Sequence, residues 1–330
     1  MPIAALAAAL VTTLAAGCST TAGASGGGGH TVNLVAYSTP QTAFDAIIGE
    51  FKQTAAGKGS TFRESYGSSG AQARAVIAGQ PADVVELSLE PDVTSLVKAG
   101  LVDPSWNANA YHGMVTDSVA VFVVRKGNPR HIRTWADLVK PGVKVVTPNP
   151  FSSGSAKWNL MAAYGAQIKS GQTPQQALDY VRSLLKHAVS QPESGSKATA
   201  AFVSGVGDVL ISYENEAIKA EQGGAAIDYV VPDQTILIEN PVAVTKDASN
   251  PALAKAFVQF LYSDQAQKTF ADHGYRPVVQ ADLDGTRFPT PTGLFTIADL
   301  GGWGDVNKQF FDRTSGSITK IENSLGLSGG

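Results

Sequence analysis

The chain has little of what metal and redox chemistry require. Its 330 residues contain one cysteine, Cys18, so an intrachain disulfide and a zinc site built from paired cysteines are excluded. No two of the five histidines have metal-ligand spacing on one helix, and no HExxH motif occurs. We therefore expect neither a metal nor a cofactor. The histidines are His30, His112, His131, His187 and His273.

Motifs for catalysis and for nucleic-acid binding are also lacking. The segment Gly57–Ser60 lacks the glycine frame of a phosphate loop, and the Gly-x-Ser-x-Gly match at Gly326–Gly330 stands at the C-terminus instead of between strand and helix. No motif places a nucleophile near Asp272 and His273, which we interpret as polar residues of a helix end. The net charge is -3, without a run of Lys and Arg. We expect no enzyme, an exported hydrolase included, and no nucleic-acid partner.

The N-terminal segment has no charged side chain and predicts export. Residues 4–16 are apolar except for two threonines, which is typical of a signal peptide and too short to span a bilayer. The segment ends Leu14-Ala15-Ala16-Gly17-Cys18, the small-residue pattern that precedes a lipid-modified cysteine. We predict a signal peptide over 1–17, a lipid on Cys18, a Gly/Ser-rich tether over 18–30, and location at the outer face of the cell membrane, in the periplasmic space.

The rest of the chain alternates between strand and helix patterns, which predicts an α/β fold with mostly parallel sheets. A buried strand over 32–37 is followed by a helix with Phe44, Ile47, Ile48 and Phe51 on one face. The length favours two lobes, with a cleft at the carboxyl ends of the strands. Helices are predicted over 69–78 and 155–166, and further strands over 62–66, 83–87, 119–124, 143–147, 208–213, 227–231, 236–238 and 241–245.

Four small loops, rich in Gly and Ser, each stand between a strand and a helix. They are Ser38–Pro40, Gly67–Gly70, Ser152–Ser155 and Ser194–Ser196. Helix N-termini have unpaired N–H groups and a partial positive charge, and glycine or serine lets an anion come close. For one loop alone, an ordinary cap is the better explanation of the pattern. Ser69 and Gln72, for instance, predict a capping box, with Gly79 ending that helix. Four such loops together predict an anion site.

A site made of neutral donors fits the negative net charge. A buried ion pair must overcome the desolvation of both ions. Hydrogen bonds to a charged acceptor are worth roughly 1.5–3 kcal/mol each, so about six or seven of them can match the desolvation of the anion without a buried lysine.

Five segments carry a resemblance to a known family. They are Ala82–Leu87, Val124–Pro129, Thr147–Asn159, Gly207–Glu216, and Leu294–Ile297 with Gly301-Gly302-Trp303. With them the chain resembles the sulfate-binding proteins of bacterial ABC importers, from about residue 32 to 322. The resemblance implies a two-lobed periplasmic-binding-protein fold of type II with a ligand cleft between the lobes. The lobes are predicted as 31–118 plus 239–297 and 119–238, with 298–330 packed on the body.

The resemblance also implies a set of donors to the ion, namely Ser38, Ser69, Ser153, Gly154, Ser155, Gly195 and Tyr213. Tyr213 stands where relatives have tryptophan, and its alternative interpretation is a core aromatic at a strand end. Phe151 and Lys157 also depart from the family, where Lys and Arg are frequent. Lys157 and Lys197 are expected to contribute positive charge near the site.

The sequence favours sulfate as the bound ion but leaves other oxyanions as alternatives. Sulfate carries no proton at neutral pH, so its site can consist wholly of donors, whereas phosphate usually carries a proton and benefits from a buried acid. None of the four loops has an acid at its centre, although Glu193 and Glu214 flank two of them. We predict sulfate as the ligand, permease subunits of an importer as partners, and a monomer. Thiosulfate, molybdate or phosphate on the same fold, and a sensor domain, are the alternatives.

Overall fold

The computed structural model describes residues 30–279 and 284–327. The predicted signal peptide, Cys18 and the tether up to residue 29 lie outside these residues. Within the described ranges, no helix has both the length and the apolar character that crossing a membrane requires.

Strands and helices alternate along most of the chain, as the sequence predicts. The strands are β1 Thr31–Tyr37, β2 Thr61–Gly67, β3 Val84–Glu86, β4 Met114–Arg125, β5 Val145–Val146, β6 Ala188–Ser190, β7 Val209–Tyr213, β8 Ile227–Val230, β9 Gln234–Val244, β10 Arg276–Pro277 and β11 Gly293–Phe295. The α-helices are α1 Gln41–Phe51, α2 Ser69–Ile77, α3 Glu90–Lys98, α4 Gly154–Lys169, α5 Pro174–Lys186, α6 Gly195–Val203, α7 Glu214–Gln222, α8 Pro251–Leu261, α9 Asp264–Asp272, α10 Gly302–Val306 and α11 Ser317–Ser324. Short 3-10 turns cover Trp135–Val139 and Ala298–Leu300, and a π turn covers Asn307–Phe311.

The main run of strands has the order β2-β1-β3-β9-β4-β7-β5-β6. Parallel strands lie at both ends, whereas β9 and β4 in the middle are antiparallel to each other and to their other neighbours in this run. The prediction of mostly parallel sheets therefore holds for the two ends of this run and fails at its centre. Two short strands were predicted over 236–238 and 241–245, but β9 is continuous through Pro241, next to a register shift in β4.

Strand β4 connects the two halves of the molecule. Its residues Met114–Val119 pair with β9, and its residues Ala120–Val124 pair with β7. One long strand thus runs from one hydrophobic core to the next. This arrangement agrees with the two-lobed α/β fold that the sequence predicts.

The cores form on the faces that the hydrophobic periodicity indicates. In the first lobe the apolar face of α1, Phe44, Ile47, Ile48 and Phe51, is buried against α8 and α9. Trp158 of α4 is fully buried in another core, and its indole N–H donates to the carbonyl oxygen of Ser88, which follows β3, at 2.7 Å. Full burial of such side chains contributes about 1.5–3 kcal/mol each. These cores hold the starts of the helices in place.

The start of α2 differs from the expected capping box. The N-cap is Ser68, and Ser69 is the first helical residue. The Ser69 hydroxyl donates to Asp92 Oδ2 at 2.5 Å, and the Gln72 amide donates to the Ala36 carbonyl at 3.2 Å. The side chains of Ser69 and Gln72 therefore form hydrogen bonds with α3 and β1, and they do not form the predicted capping box. The predicted end of the helix is confirmed, since Gly79 has a φ of 103°.

Candidate anion site at the helix N-termini

Each of the four Gly/Ser loops leads into a helix. α1 begins directly after Pro40, α2 at Ser69, α4 at Gly154 and α6 at Gly195. The first N–H groups of a helix have no carbonyl partner within that helix, and they carry the positive end of its dipole. The predicted helix starts are thus confirmed.

Three of the loops are in contact with one another. The Ser196 hydroxyl donates to Ser38 Oγ at 3.0 Å, which joins the start of α6 to the loop before α1. Ser153 and Ser155 share a hydroxyl hydrogen bond of 2.7 Å. A Cβ atom added to Gly195 would lie 3.0 Å from Ser155 Oγ. The starts of α1, α4 and α6 therefore converge.

The fourth loop joins them through Ser88, which follows β3. The backbone N–H of Ser88 donates to Ser69 Oγ at 3.0 Å. A Cβ atom added to Gly154 would lie 2.0 Å from Ser88 Oγ, and one added to Gly70 would lie 3.3 Å from the Ser152 carbonyl oxygen. The start of α4 therefore packs directly against that of α2, and only glycine fits at residue 154 without displacing a neighbour.

Tyr213 lies beside the same junction, at the end of β7. Its side chain is 1 % exposed and packs in the core that contains Phe122 and Trp158, while its hydroxyl makes no well-oriented hydrogen bond with any described residue. Burial raises the pKa of Tyr213 well above its ordinary value, and the nearby Ser88 and Asn240 lower it in part. The tyrosine is a core aromatic whose hydroxyl, beside Ser88 and Asn240, is available to donate.

The comparisons with known proteins agree with this geometry. Residues 32–276 match the family described as bacterial extracellular solute-binding protein. The chain is 41% identical to a sulfate-binding protein of Synechococcus elongatus, covering 98% of this chain and 95% of that one. The chain belongs to this family of solute-binding proteins. The resemblance found in the sequence is confirmed, and so is the expectation that the chain is not an enzyme.

Two further relatives of this solute-binding protein bear on its fold and ligand. The structure of the sulfate-binding protein SubI from Mycobacterium tuberculosis matches with a TM-score of 0.84 and 49% identity, over 86% of this chain and 100% of that chain. A thiosulfate-binding protein of Escherichia coli is 35% identical, over 87% of this chain and 89% of that one. The two-lobed periplasmic-binding-protein fold is thereby confirmed.

The acids that flank the loops of the solute-binding protein are engaged elsewhere. Glu193 forms an ion pair with Lys197, and both side chains are more than half exposed. Glu214 is buried and accepts from two nitrogens of Arg276, at 2.7 and 3.1 Å. Neither carboxylate is a free acceptor in the cleft. Lys197 stays at the surface, so its charge acts on the site only through solvent.

A pocket of about 170 Å³ opens beside Ser153 and Gly154. Its charged side chains are Arg74, Asp92, Lys157 and Arg313, three cations and one acid. Burial lowers the pKa of Lys157, and the opposite charge of Asp92 raises it in part. The pocket therefore gives this side of the cleft a positive potential, although the whole protein is negative. Lys157 contributes the nearby charge that the sequence predicted.

Sequence reasoning missed several polar residues of the cleft. Ser88 and Asn240 lie next to the Tyr213 hydroxyl, and Tyr275 shares a hydrogen bond of 3.2 Å with Thr39 Oγ1. Glu86, the last residue of β3, is 0% exposed, and neither of its carboxylate oxygens has a hydrogen-bond partner in the described structure. An acid within the apolar segment 82–87 was the available signal for Glu86.

Proposed function

We propose that this protein captures sulfate outside the cytoplasm and delivers it to the permease subunits of an ABC importer. The observation that carries the proposal is the convergence of four helix N-termini on one buried junction. The sulfate-binding proteins among its relatives support the choice of ion.

The proposed donors are groups that carry no charge. They are the N–H groups of Ser38, Ser69, Gly154, Ser155 and Gly195 and the hydroxyls of Ser153 and Tyr213. Each hydrogen bond to a charged acceptor contributes roughly 1.5–3 kcal/mol, and the donors are fixed before the ion arrives. The Ser69 hydroxyl is already donated to Asp92, so its contribution is the backbone N–H. Sulfate accepts from all seven groups without needing an acceptor in return.

Calorimetry on protein freed of bound anions tests the choice of ion. We expect sulfate to bind more tightly than phosphate, because phosphate usually carries a proton that finds no carboxylate acceptor in the four loops. Thiosulfate and molybdate are tetrahedral dianions that the same donors can bind, and one relative of the chain is a thiosulfate-binding protein. Tight phosphate binding without any heat from sulfate contradicts the proposal.

We further propose that residues 31–118 plus 239–297 form one lobe, that 119–238 form the other, with 298–330 packed on the body, and that a single chain is the working unit. The change of partner along β4, from β9 to β7, supports the division near residue 119. Contacts such as Ser196 with Ser38 then join the two lobes across the cleft. Small-angle X-ray scattering tests this assignment: we expect the mass of one chain and a radius of gyration that sulfate decreases.

We also propose that Cys18 carries a lipid that anchors the protein to the outer face of the cell membrane. The apolar segment and the small residues before Cys18 support this. In bacterial cells given a radiolabelled fatty acid, the full-length protein is expected to incorporate label and to sediment with membranes. The Cys18→Ser variant should do neither. Equal labelling of both proteins excludes Cys18 as the attachment site.

A further inference from the structure

Glu86 occupies a position where a charged carboxylate has no partner. It ends β3, pairs in register with Ala36 of β1 and Val242 of β9, and is 0% exposed. Neither carboxylate oxygen accepts a hydrogen bond from any described residue. Burial of an ionised carboxylate without partners is costly, so such a group retains its proton instead.

The groups that face Glu86 are tyrosines from four parts of the fold. Tyr37 ends β1, Tyr66 lies in β2, Tyr213 ends β7 and Tyr275 follows α9. Burial is the main cause that raises the pKa of each of them, and an ionised Glu86 would raise each pKa further. Among the described residues no lysine, arginine or histidine shifts the pKa of Glu86, which burial alone raises well above its ordinary value. No cation is therefore in place to stabilise the ionised carboxylate.

The same tyrosines connect Glu86 to the candidate anion site. Tyr213 is one of the proposed donors, and Tyr37 directly precedes another, Ser38. Tyr275 is hydrogen-bonded to Thr39. A negative charge on Glu86 would therefore act through a buried, poorly screened region on any anion held by these loops.

We propose that Glu86 is a specificity-determining residue, which stays protonated so that the buried site accepts an ion with two negative charges. The proposal rests on the proposed function, because it concerns the ion held at that site. Sulfate in the cleft and a proton on Glu86 stabilise each other. At a pH where Glu86 is ionised in the sulfate-free protein, Glu86 must regain its proton when sulfate binds. Binding therefore takes up a proton from solution.

Calorimetry with sulfate over a pH series, for the wild type and for Glu86→Gln, tests this. Glutamine has the shape of the neutral acid and cannot ionise. We expect the wild-type Kd to rise by about tenfold per pH unit once Glu86 ionises in the empty protein, because one proton is linked to binding. The Kd of Glu86→Gln should stay constant over that range. Glu322→Gln, which alters a buried acid of α11 outside the four loops, should follow the wild type.

A second measurement needs no variant. Binding heats in buffers of different ionisation enthalpy should give uptake of about one proton per sulfate in the range where the wild-type affinity falls. Parallel pH profiles for wild type and Glu86→Gln, or no proton uptake at any pH, overturn the Glu86 proposal alone. Absence of sulfate binding to both proteins at every pH contradicts the proposed function, and the Glu86 proposal with it.

The stability of the empty protein gives an independent reading of the same group. Because burial raises the pKa of Glu86, its protonated form contributes stability that is fully present below the ordinary pKa range of glutamate. That contribution is lost as the pH rises through the raised pKa. Glu86→Gln should remove this loss. A thermal unfolding midpoint with the same pH dependence in both proteins contradicts a buried, protonated Glu86.

Discussion

Gly154→Ala is expected to weaken sulfate binding by about 100-fold or more, which corresponds to about 2.7 kcal/mol. The new Cβ would lie 2.0 Å from Ser88 Oγ and 2.8 Å from Leu89 Cγ, so the start of α4 must move away from the first lobe. That movement displaces the N–H groups of residues 154 and 155 together. Loss of two hydrogen bonds to the ion, at roughly 1.5–3 kcal/mol each, accounts for the effect.

Gly49→Ala is the matched control for this variant. Gly49 also lies in a helix, and nothing lies within 4 Å of a Cβ added there. Alanine should stabilise α1 by up to about 1 kcal/mol and leave the affinity unchanged. Calorimetry and thermal unfolding separate the two effects. If Gly154→Ala binds sulfate as tightly as Gly49→Ala does, the start of α4 is not part of the site.

Tyr213→Phe is expected to lose roughly 1.5–3 kcal/mol of sulfate affinity without losing stability. Among the described residues the hydroxyl makes no well-oriented hydrogen bond, so its removal costs the fold little, and the ring keeps its place in the core. Burial holds the pKa of Tyr213 high, which keeps its proton available for donation. The Kd from calorimetry and the unfolding midpoint should therefore respond differently.

Tyr180→Phe should give the opposite result. The Tyr180 hydroxyl donates to the Trp135 carbonyl oxygen at 2.6 Å, and neither residue belongs to the proposed site. Its loss should lower the free energy of unfolding by about 1 kcal/mol and leave the Kd unchanged. An unchanged Kd for Tyr213→Phe removes Tyr213 from the site and leaves it as a core aromatic.

Local patterns were sufficient to locate the helix starts. Gly and Ser between an apolar strand and an amphipathic helix predicted the beginnings of α1, α2, α4 and α6, because capping and helix dipoles depend on a few neighbouring residues. The side-chain partners could not be predicted in the same way. Ser69 bonds to Asp92, 23 residues away, instead of to Gln72. A partner at that distance is set by the packing of α2 on α3, which no local pattern contains.

The continuous strand β9 and the buried Glu86 also could not be predicted from local sequence patterns. Pro241 divided the sequence pattern into two short strands, whereas pairing with β4 keeps β9 continuous. The burial of Glu86 could not be predicted from the loops, because the cost of burying its carboxylate depends on neighbours that only the fold brings together. The proposal of a lipid on Cys18 rests on the sequence alone, since that segment lies outside the described residues.

The location of the bound ion tests the central claim most directly. Crystals grown with selenate, a tetrahedral dianion analogous to sulfate, should show the anomalous signal of selenium where α1, α2, α4 and α6 begin. The oxygens should lie about 2.7–3.1 Å from the N–H groups of Ser69, Gly154 and Gly195. A signal held instead by Arg74, Lys157 and Arg313 in the adjacent pocket would contradict a site made of neutral donors.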